Sequence, residues 1–587
     1  MANFAGQAIS ESYQRVLQID GGIIQDGTGN LVDGTIDSLV VVNALSAATV
    51  NSLTLGLGGS NVTNNIALGL NALESNTTGT NNVAIGFRPL QYNSVGNFNV
   101  ALGPNTLRSN TSGSNNIALG RGALNQNTTG NYNIALGTSA LESNDSGINN
   151  VALGNTALKY NTTGNNNIAL GNENLQQNTT GYQNVAIGGR TLTSNIAGAN
   201  NIALGDSALR SNTYGYSNIA LGKNSLFSNI NSYNNIALGQ SALYNNTYGN
   251  SNVALGNNAL QSNTTGGGNV ALGDNSLKYF QANKSNIAIG PNALTGQKLP
   301  DGYGGYTYST GEDNIALGDS ALSVNSSGGG NVALGKSTLS NNTTGNYNVA
   351  LGSNALESNT TGYSNIALGQ SALEQNLSGY RNIALGNDTL KYNTSGNSNI
   401  ALGGGALFSN ASGVRNIAVG QSSLSGNITG NNNVALGYSV LTTNIAGDNN
   451  VALGNQALRL NTYGSNNVAL GYKTLEYNTT GNYNVALGQN ALQQNQSGNS
   501  NVALGQNALL NNSIGSYNSG LGFAIESGNY SGSIILGAGA SSTANGQLAL
   551  GSPIYPIGPI ASEVSASSTH TLAINLNGNT YRLLMVQ

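Results

Sequence analysis

Few residues of this chain have the types and spacing that catalysis or metal binding requires. The 587 residues contain one histidine, His570, and no cysteine, so a Ser-His-Asp arrangement has a single place to form and thiolate metal sites are excluded. Paired carboxylates would suit glycoside hydrolysis, and Asp301, Glu312 and Asp313 are the best candidates for that role. Four other acids recur singly at position 11 of the repeat described below, a variable site that we expect to be solvated: Glu74, Glu142, Glu357 and Glu476. We therefore expect no enzyme, no cofactor and no metal site.

Tyrosine is the residue type that points to recognition. Tyr303, Tyr306 and Tyr308 lie close together in a glycine-containing segment, residues 295–309, and an aromatic loop of this kind suits sugar faces or protein epitopes. We take these three as candidate receptor contacts with a host-surface glycan or protein. The alternative is an inserted loop without a ligand, which a surface segment tolerates at little cost.

The elements that position these side chains come from one phrase that recurs with a 17-residue period. A glycine closes the phrase Asn-Val/Ile-Ala-Leu-Gly at this spacing from Gly69 to Gly290, and again from Gly318 to Gly522. These 14 and 13 copies make 27 repeats. The 28-residue step between the two series is one repeat with an 11-residue insertion, and it contains the three tyrosines. A fixed period this short predicts a solenoid.

Each position of the repeat has its own structural tendency. With Asn81 as position 1 and Gly86 as position 6, positions 2–5 predict a short strand. Positions 7–12 favour either one helical turn or a second strand, and Asn-Thr-Thr-Gly at positions 13–16 predicts a turn. We expect a mainly β solenoid of 17-residue coils whose 27 strands stack at about 4.8 Å into a rod of roughly 130 Å.

Near-invariant positions predict ladders of identical side chains and, through them, an oligomer. Position 2 is Asn in all 27 repeats, position 4 is Ala in 26, and position 10 is Leu in all except Glu526. If positions 3 and 5 point into the coil, Asn and Ala point outwards, and a uniformly small outer face predicts a homotrimer. The alternative is a lone solenoid with a wide, Ala-lined interior. The candidate structural ladder comprises Asn65, Asn82, Asn286, Asn314, Asn518, Ala84, Leu90 and Gly86.

Composition excludes several function classes. Charged residues are 7% of the chain, the net charge is −4 and no Lys/Arg cluster occurs, which argues against nucleic-acid binding. No apolar run reaches the length of about 18 residues that membrane insertion would need. The first residues lack the basic and apolar regions of a signal peptide, so we expect synthesis in a cytoplasm.

The repeat resembles two families. The phrase Ala-Leu-Gly-x-x-Ala-Leu is similar to the head repeats of trimeric autotransporter adhesins, and its 17-residue version resembles the repeats of bacteriophage tail fibres. Residues 9–29 resemble the stretch of phage fibres that engages the virion, which makes Tyr13, Gln14, Arg15 and Leu17 candidate attachment residues. Residues 570–585 predict a β-hairpin around Asn577-Gly578 and resemble the small domains that close fibre trimers.

This resemblance implies a virion tail fibre that attaches to tail or baseplate proteins through its N-terminus and to the host surface elsewhere. A bacterial cell-surface adhesin is the alternative, disfavoured because neither a signal peptide nor a membrane-anchor segment is seen. Ice binding by Thr at positions 14 and 15 is a more remote alternative. The expected segments are virion attachment (1–50), a transition (51–64), solenoid repeats (65–290), the repeat with the insertion (291–313), further repeats (314–522), shorter 14- to 15-residue repeats (523–552) and a C-terminal trimerisation hairpin (553–587).

Overall fold

A computed structural model of the chain describes residues 53–554, except Gly304, together with the backbone of residues 18–20, 23–25, 48–50, 571–576 and 579–584. The chain divides into two compact units, Met1–Asn348 and Val349–Gln587. Both units contain short parallel strands that recur once per coil, and the described residues contain no α-helix. The predicted mainly β solenoid of 17-residue coils is confirmed.

The first unit begins with antiparallel pairs and continues as a parallel stack. Strand β1 (Gln18–Asp20) pairs with β2 (Ile23–Gln25), and β3 (Ala48–Val50) pairs with β4 (Leu53–Gly56). A 3-10 turn, η1 (Gly59–Asn61), follows, and β4 also pairs antiparallel with the first strand of the stack, β5 (Ile66–Leu68). The next parallel strands are β6 (Val83–Ile85), β7 (Val100–Leu102), β8 (Ile117–Leu119), β9 (Ile134–Leu136), β10 (Val151–Leu153), β11 (Ile168–Leu170), β12 (Val185–Ile187), β13 (Ile202–Leu204), β14 (Ile219–Leu221), β15 (Ile236–Leu238), β16 (Val253–Leu255), β17 (Val270–Leu272) and β18 (Ile287–Ile289). After the hairpin of β19 (Lys298–Pro300) and β20 (Tyr306–Tyr308), the stack continues with β21 (Ile315–Leu317) and β22 (Val332–Leu334).

The second unit repeats the parallel stack and ends in a hairpin. Its parallel strands are β23 (Val349–Leu351), β24 (Ile366–Leu368), β25 (Ile383–Leu385), β26 (Ile400–Leu402), β27 (Ile417–Val419), β28 (Val434–Leu436), β29 (Val451–Leu453), β30 (Val468–Leu470), β31 (Val485–Leu487), β32 (Val502–Leu504), β33 (Ser519–Leu521), β34 (Ile534–Leu536) and β35 (Leu548–Leu550). Strands β34 and β35 follow after fewer than 17 residues, since Ser519 pairs with Ile534 and Ile534 pairs with Leu548. Strands β36 (Thr571–Leu576) and β37 (Asn579–Leu584) pair antiparallel with Leu576 opposite Asn579, as a hairpin around Asn577-Gly578 requires.

Strand register places identical repeat positions on top of one another. Val83 pairs with Val100 and Ala84 with Ala101, and the same one-to-one pairing recurs along each unit. The direction in which these side chains point is the reverse of what the repeat predicted. Ala84 and its equivalents are buried inside the coil, whereas positions 3 and 5 point outwards and are only partly covered. The predicted outward facing of Asn and Ala is therefore wrong, and alanine lines the interior. The homotrimer and the lone solenoid both stay predictions.

Positions 7–12 form neither the predicted helical turn nor a regular strand. Residues at positions 8 and 10 have left-handed backbone conformations in coil after coil, as Arg88 (φ 59°) and Leu90 (φ 48°) illustrate. Alternation of left-handed and other conformations prevents any helical run. The segment instead bonds between coils, because the N–H of Leu90 donates to the carbonyl of Thr106 at 3.0 Å. The Leu90 side chain is fully buried and is the largest group in the interior of its coil.

Two asparagine columns satisfy the polar groups of this narrow interior. The backbone N–H of Asn82 donates to Oδ1 of Asn65 at 2.8 Å, and the Asn82 side-chain amide donates to the carbonyl of Gly96 at 2.9 Å. Position 13 forms the second column, since Asn93 Nδ2 donates to Asn76 Oδ1 at 3.0 Å and to the same Gly96 carbonyl at 3.1 Å. Asparagine is tolerated inside the coil because each of these buried amides has partners from the neighbouring coil.

Glycine at two positions permits the coils to approach so closely. Gly86 has φ 132°, and a Cβ on it would lie 2.8 Å from the carbonyl oxygen of Gly103 in the next coil. A Cβ on Gly96 would overlap the carbonyl oxygen of Gly113. A Cβ at either position would press on the neighbouring coil, which explains why glycine recurs at both; at position 16 the coils of Ser232 and Asn283 accommodate a larger residue.

Candidate functional site

The insertion leaves the stack of the first unit in register. Strand β18 pairs with β21 so that Ile287 lies opposite Ile315, despite the added residues between them. The asparagine column also continues, because the backbone N–H of Asn314 donates to Asn286 Oδ1 at 2.9 Å. In the second unit the same column reaches Asn518, whose Oδ1 accepts from the Ser533 N–H at 3.0 Å. The extra residues therefore project from an otherwise continuous coil.

The projecting residues form a short β-hairpin with a side-chain-stabilised tip. Lys298 pairs with Tyr308 and Pro300 with Tyr306 across β19 and β20. At the tip, Asp301 Oδ1 accepts the backbone N–H groups of Tyr303 at 2.9 Å and Gly305 at 2.8 Å. Residues directly opposite one another share a face, so Lys298, Tyr306 and Tyr308 lie on the same side of the hairpin.

The three candidate tyrosines are not equivalent. Tyr306 and Tyr308 occupy alternate positions of β20, and the Lys298 ammonium lies 4.0 Å from the Tyr306 ring centroid and 5.9 Å from that of Tyr308. Tyr303 stands at the tip and is 97% exposed. The structure thus brings Tyr306 and Tyr308 together around one cation and places Tyr303 at the outermost point of the hairpin.

A groove separates β20 from the preceding coil of the solenoid. Its volume is about 400 Å³, and it combines aromatic rings with amide, hydroxyl and carboxylate groups. This size lies within the range of roughly 300–1,000 Å³ that small-molecule sites occupy. The residues that line the groove are Gln281, Ala282, Asn283, Tyr306, Thr307, Tyr308, Ser309, Thr310 and Glu312.

Two residues in the coil before the hairpin differ from the usual residues of positions 13 and 16, and they lie beside this groove or beneath the hairpin. Phe280 replaces the asparagine of position 13 and is buried, while Asn283 replaces the glycine of position 16. Asn283 Nδ2 donates to the Gly311 carbonyl of the next coil at 2.8 Å, whereas a position-13 asparagine donates to the position-16 carbonyl of its own coil, as Asn93 does to Gly96. Because Phe280 cannot donate, Asn263 Oδ1 in the coil before has no hydrogen-bond partner among the described residues. The sequence signal was available, since Phe280 alone breaks the position-13 asparagine column outside the repeat that holds the insertion.

Ser309 ties the base of the hairpin to the coils on either side. Its N–H donates to the Tyr279 carbonyl at 3.1 Å, and its hydroxyl donates to the Asn325 carbonyl at 2.7 Å. The same hydroxyl accepts the Gln297 N–H at 2.8 Å. Close packing of the other hairpin stem is evident at Gly296, where a Cβ would lie 2.6 Å from the Phe280 ring. The hairpin is therefore fixed at its base as well as at its tip.

The candidate carboxylates have separate roles. Asp301 stabilises the hairpin tip, Glu312 lines the groove, and Asp313 occupies position 1 with its N–H donating to the Lys284 carbonyl at 3.3 Å. Among the described residues, no three His, Cys, Asp or Glu side chains are grouped so that they could hold a metal ion.

One acidic position differs from its prediction. Position 11, which includes Glu476, was expected to be solvated, but Glu476 is 1% exposed. Its Oε1 lies 3.0 Å from Arg459 Nη2, and its Oε2 accepts from Gln493 Nε2 at 2.8 Å. These side chains pair along the stack, one coil apart, and the predicted solvation of Glu476 is wrong.

Several predicted residues lie outside the described part of the chain. These are the candidate attachment residues Tyr13, Gln14, Arg15 and Leu17, and also His570. Strands β36 and β37 are described only by their backbone, so the trimerisation role expected of that hairpin stays a prediction.

Comparisons with known proteins add no relative from which function could be transferred. No protein-family model, no curated protein and no solved structure matches the chain. Within the described residues, no helix has the length and apolar character that crossing a bilayer requires. The outer face of the sheet and the hairpin groove are therefore the two structural features that bear on function.

Proposed function

We propose that this chain is a non-enzymatic structural subunit of a bacteriophage tail fibre, which assembles as a homotrimer on the virion and contacts the host surface. The observation that carries the proposal is the uncovered apolar face of the parallel sheet. The phage assignment itself rests on the sequence resemblance of the repeat and of both termini.

The outer sheet face is apolar along each unit. The residues of the 16 parallel strands from β5 to β22 in the first unit are Val, Ile, Leu and Ala alone. The 13 strands of the second unit depart from this set only at Ser519 and Gly520. Outward side chains remain accessible in the single chain, as Ile66 (55% exposed) and Ile117 (39% exposed) show. Contiguous apolar surface of this kind marks an interaction site.

The area of this face is sufficient for a stable interface. Three residues of strand at about 3.3 Å each, with strands about 4.8 Å apart, give roughly 50 Å² per coil. The 16 parallel strands of the first unit therefore present roughly 800 Å². Stable protein interfaces bury about 800 Å² on each partner, so one unit alone reaches the required size.

The occupant that fits this face best is another copy of the chain. A partner must offer an apolar surface with the same spacing over many coils, and a second copy does so by construction. Three copies, rather than two, is what the resemblance to fibre and adhesin-head repeats implies. In this assembly residues 1–50 would engage tail or baseplate proteins, and the β19–β20 hairpin would face the host.

Ice binding is disfavoured by the geometry of the threonines. At position 14 the Thr77 hydroxyl donates to the Ser94 carbonyl at 2.9 Å, so it is engaged in joining coils. The column is interrupted at Ile196 and Ile230. An ice-binding face would need an unbroken array of hydroxyls directed at solvent. A cell-surface adhesin would use the same sheet face and hairpin and differs from a tail fibre in where the protein is found.

Two measurements on the full-length protein test the proposal. Native mass spectrometry should give three times the chain mass of 59.5 kDa, and a single-chain mass would overturn the trimer. Antibodies raised against the chain should label the tails of phage particles in electron micrographs of a lysate from producing cells. Labelling confined to the surface of uninfected cells would support the adhesin instead.

A further inference from the structure

We infer that the groove between β20 and residues 281–283 binds a neutral pyranose sugar of a host-surface glycan. This inference rests on the proposed host-contact function and names the class of ligand. It assigns the contact to Tyr306 and Tyr308 at the groove and excludes Tyr303, which stands at the tip.

The aromatic wall of the groove suits one face of a sugar ring. Tyr306 is 54% exposed and Tyr308 is partly buried, and both residues contribute to the lining. A pyranose presents a face of C–H groups, which are attracted to the negative face of an aromatic ring. Tyrosine also carries a hydroxyl that bonds to sugar or water at the ring edge.

The other lining residues supply groups that match sugar hydroxyls. Gln281 offers both a donor and an acceptor, Thr310 offers a hydroxyl, and Glu312 offers a carboxylate. Each sugar hydroxyl both donates and accepts, so a mixed set of this kind is complementary to it. Glu312 is the one charged residue in the lining, and a cation, the Lys298 ammonium, lies beside the Tyr306 ring. One negative and one positive charge offset each other, which favours a neutral sugar over an ionic ligand.

The groove is held in shape before any ligand enters. Asp301 fixes the hairpin tip, Ser309 fixes its base, and Lys298 lies against the Tyr306 ring at 4.0 Å. The rings and the polar wall therefore lose little conformational freedom on binding, which improves affinity for a small ligand. Phe280, packed against Gly296 of the hairpin stem, and Asn283, in the groove lining, support the same shape from the coil beneath.

Saturation-transfer NMR on the full-length protein tests this inference. The probes are the methyl glycosides of glucose, galactose, mannose, rhamnose and N-acetylglucosamine. At least one should bind, and Tyr306→Ala should weaken that binding about tenfold or more, the size expected when a stacking ring is removed. Glu312→Gln should also weaken it, because a charged acceptor is lost. Tyr303→Ala is the matched control and should change the affinity less than about twofold.

Three results would overturn the inference. They are no binding of any probe, equal effects of Tyr303→Ala and Tyr306→Ala, or capture of a host protein that all five glycosides fail to displace. These outcomes are separable from failure of the proposed function, because native mass and antibody labelling of virions do not involve the groove. A trimeric virion fibre that binds no sugar would refute only the ligand assigned here.

Discussion

Ile117 and Ile134 lie directly opposite each other on neighbouring parallel strands, and both side chains point away from the coil interior that Ala118 and Ala135 fill. Because this register repeats in each unit, outward Ile, Val and Leu side chains form columns along the sheet. Within each column the side chains are separated by the distance between neighbouring strands, and they carry no charge. Another copy of the chain has columns with the same spacing and can pack against them.

Charges placed on this face should weaken self-association. We expect the double variant Ile134→Glu with Ile168→Glu to dissociate at a protein concentration at least about tenfold higher than the native chain, because each buried unpaired carboxylate costs several kcal/mol. The matched control, Thr129→Glu with Thr163→Glu, adds the same charge at exposed turn positions. Sedimentation equilibrium measures both. Equal dissociation of the two double variants would exclude this face as the interface.

Loss of one buried asparagine should open the stack locally. Asn150 donates to the Gly164 carbonyl at 2.8 Å, and its Oδ1 accepts the Asn167 N–H at 3.0 Å. Asn150→Ala leaves the Asn167 N–H without its acceptor, whereas the Gly164 carbonyl keeps the hydrogen bond from Asn161 Nδ2 at 3.0 Å. We expect about 1–3 kcal/mol of local destabilisation from the one unsatisfied buried donor. Hydrogen exchange should rise in the coils next to position 150 and much less in distant ones. The exposed Asn155→Ala in the same coil is the control and should leave exchange unchanged.

The coil that begins with β33 replaces the usual alanine of position 4 with Gly520 and the usual residue of position 9 with Ile525, and these two replacements should compensate each other. A Cβ on Gly520 would lie 2.5 Å from Ile525 Cδ1, so glycine at position 4 makes room for isoleucine at position 9. Gly520→Ala alone should destabilise this coil by about 1 kcal/mol through overpacking. Restoring the common repeat by adding Ile525→Ala and Glu526→Leu should recover the loss. Hydrogen exchange over residues 518–526 reports both, and an unaltered Gly520→Ala coil would refute the packing argument.

The same coil gives a pH dependence with a definite sign. Burial raises the pKa of the Glu526 carboxyl above its ordinary value, against opposing hydrogen bonds from Asn511. The folded coil therefore holds this proton more tightly than the unfolded chain, and its stability falls as pH rises from the ordinary pKa through the raised one. Glu526→Gln should remove this dependence of coil stability on pH and should slow hydrogen exchange in the coil at neutral pH. A slope that persists in Glu526→Gln would contradict the assignment.

Glu74 provides a control of opposite sign. Hydrogen bonds from Gln91 and Asn71 lower the pKa of the Glu74 carboxyl. Its contribution to stability is therefore present above the ordinary pKa and is lost as pH falls through the lowered value. Glu74→Gln should remove this pH dependence from hydrogen exchange in its own coil. The pH dependence of exchange in the Glu526 coil should stay unchanged.

The 17-residue period predicted the solenoid and a strand at positions 2–5, which the structure has at positions 3–5, because these depend on glycine, β-branched residues and fixed spacing. The direction of the strand side chains could not be read in the same way. Burial of Asn82 depends on bonds to the neighbouring coil, and alternation with Ile and Leu taken as inward had placed it outside. The left-handed conformation of Leu90 is rare for leucine, so propensity gave no indication of it.

The functional site was predicted in part. The break in period located the tyrosine segment, but the groove also depends on Phe280 and Asn283, which belong to the coil before it. The meaning of Phe280 at position 13 and of Asn283 at position 16 becomes apparent only once the hydrogen bonds between coils are known. Tyr303 looked equivalent to its neighbours in the sequence, and the hairpin register separated it from Tyr306 and Tyr308.

Accessibility of the outer face in the native assembly tests the account most directly. The chain has no cysteine, so a single Leu153→Cys substitution gives one reactive thiol on a side chain that is 37% exposed in the isolated chain. We predict that this thiol is protected from maleimide in the native oligomer and reacts once the oligomer dissociates, while Thr163→Cys on the turn reacts in both states. Equal reaction of the two thiols under native conditions would contradict the proposal that copies of this chain associate through the sheet.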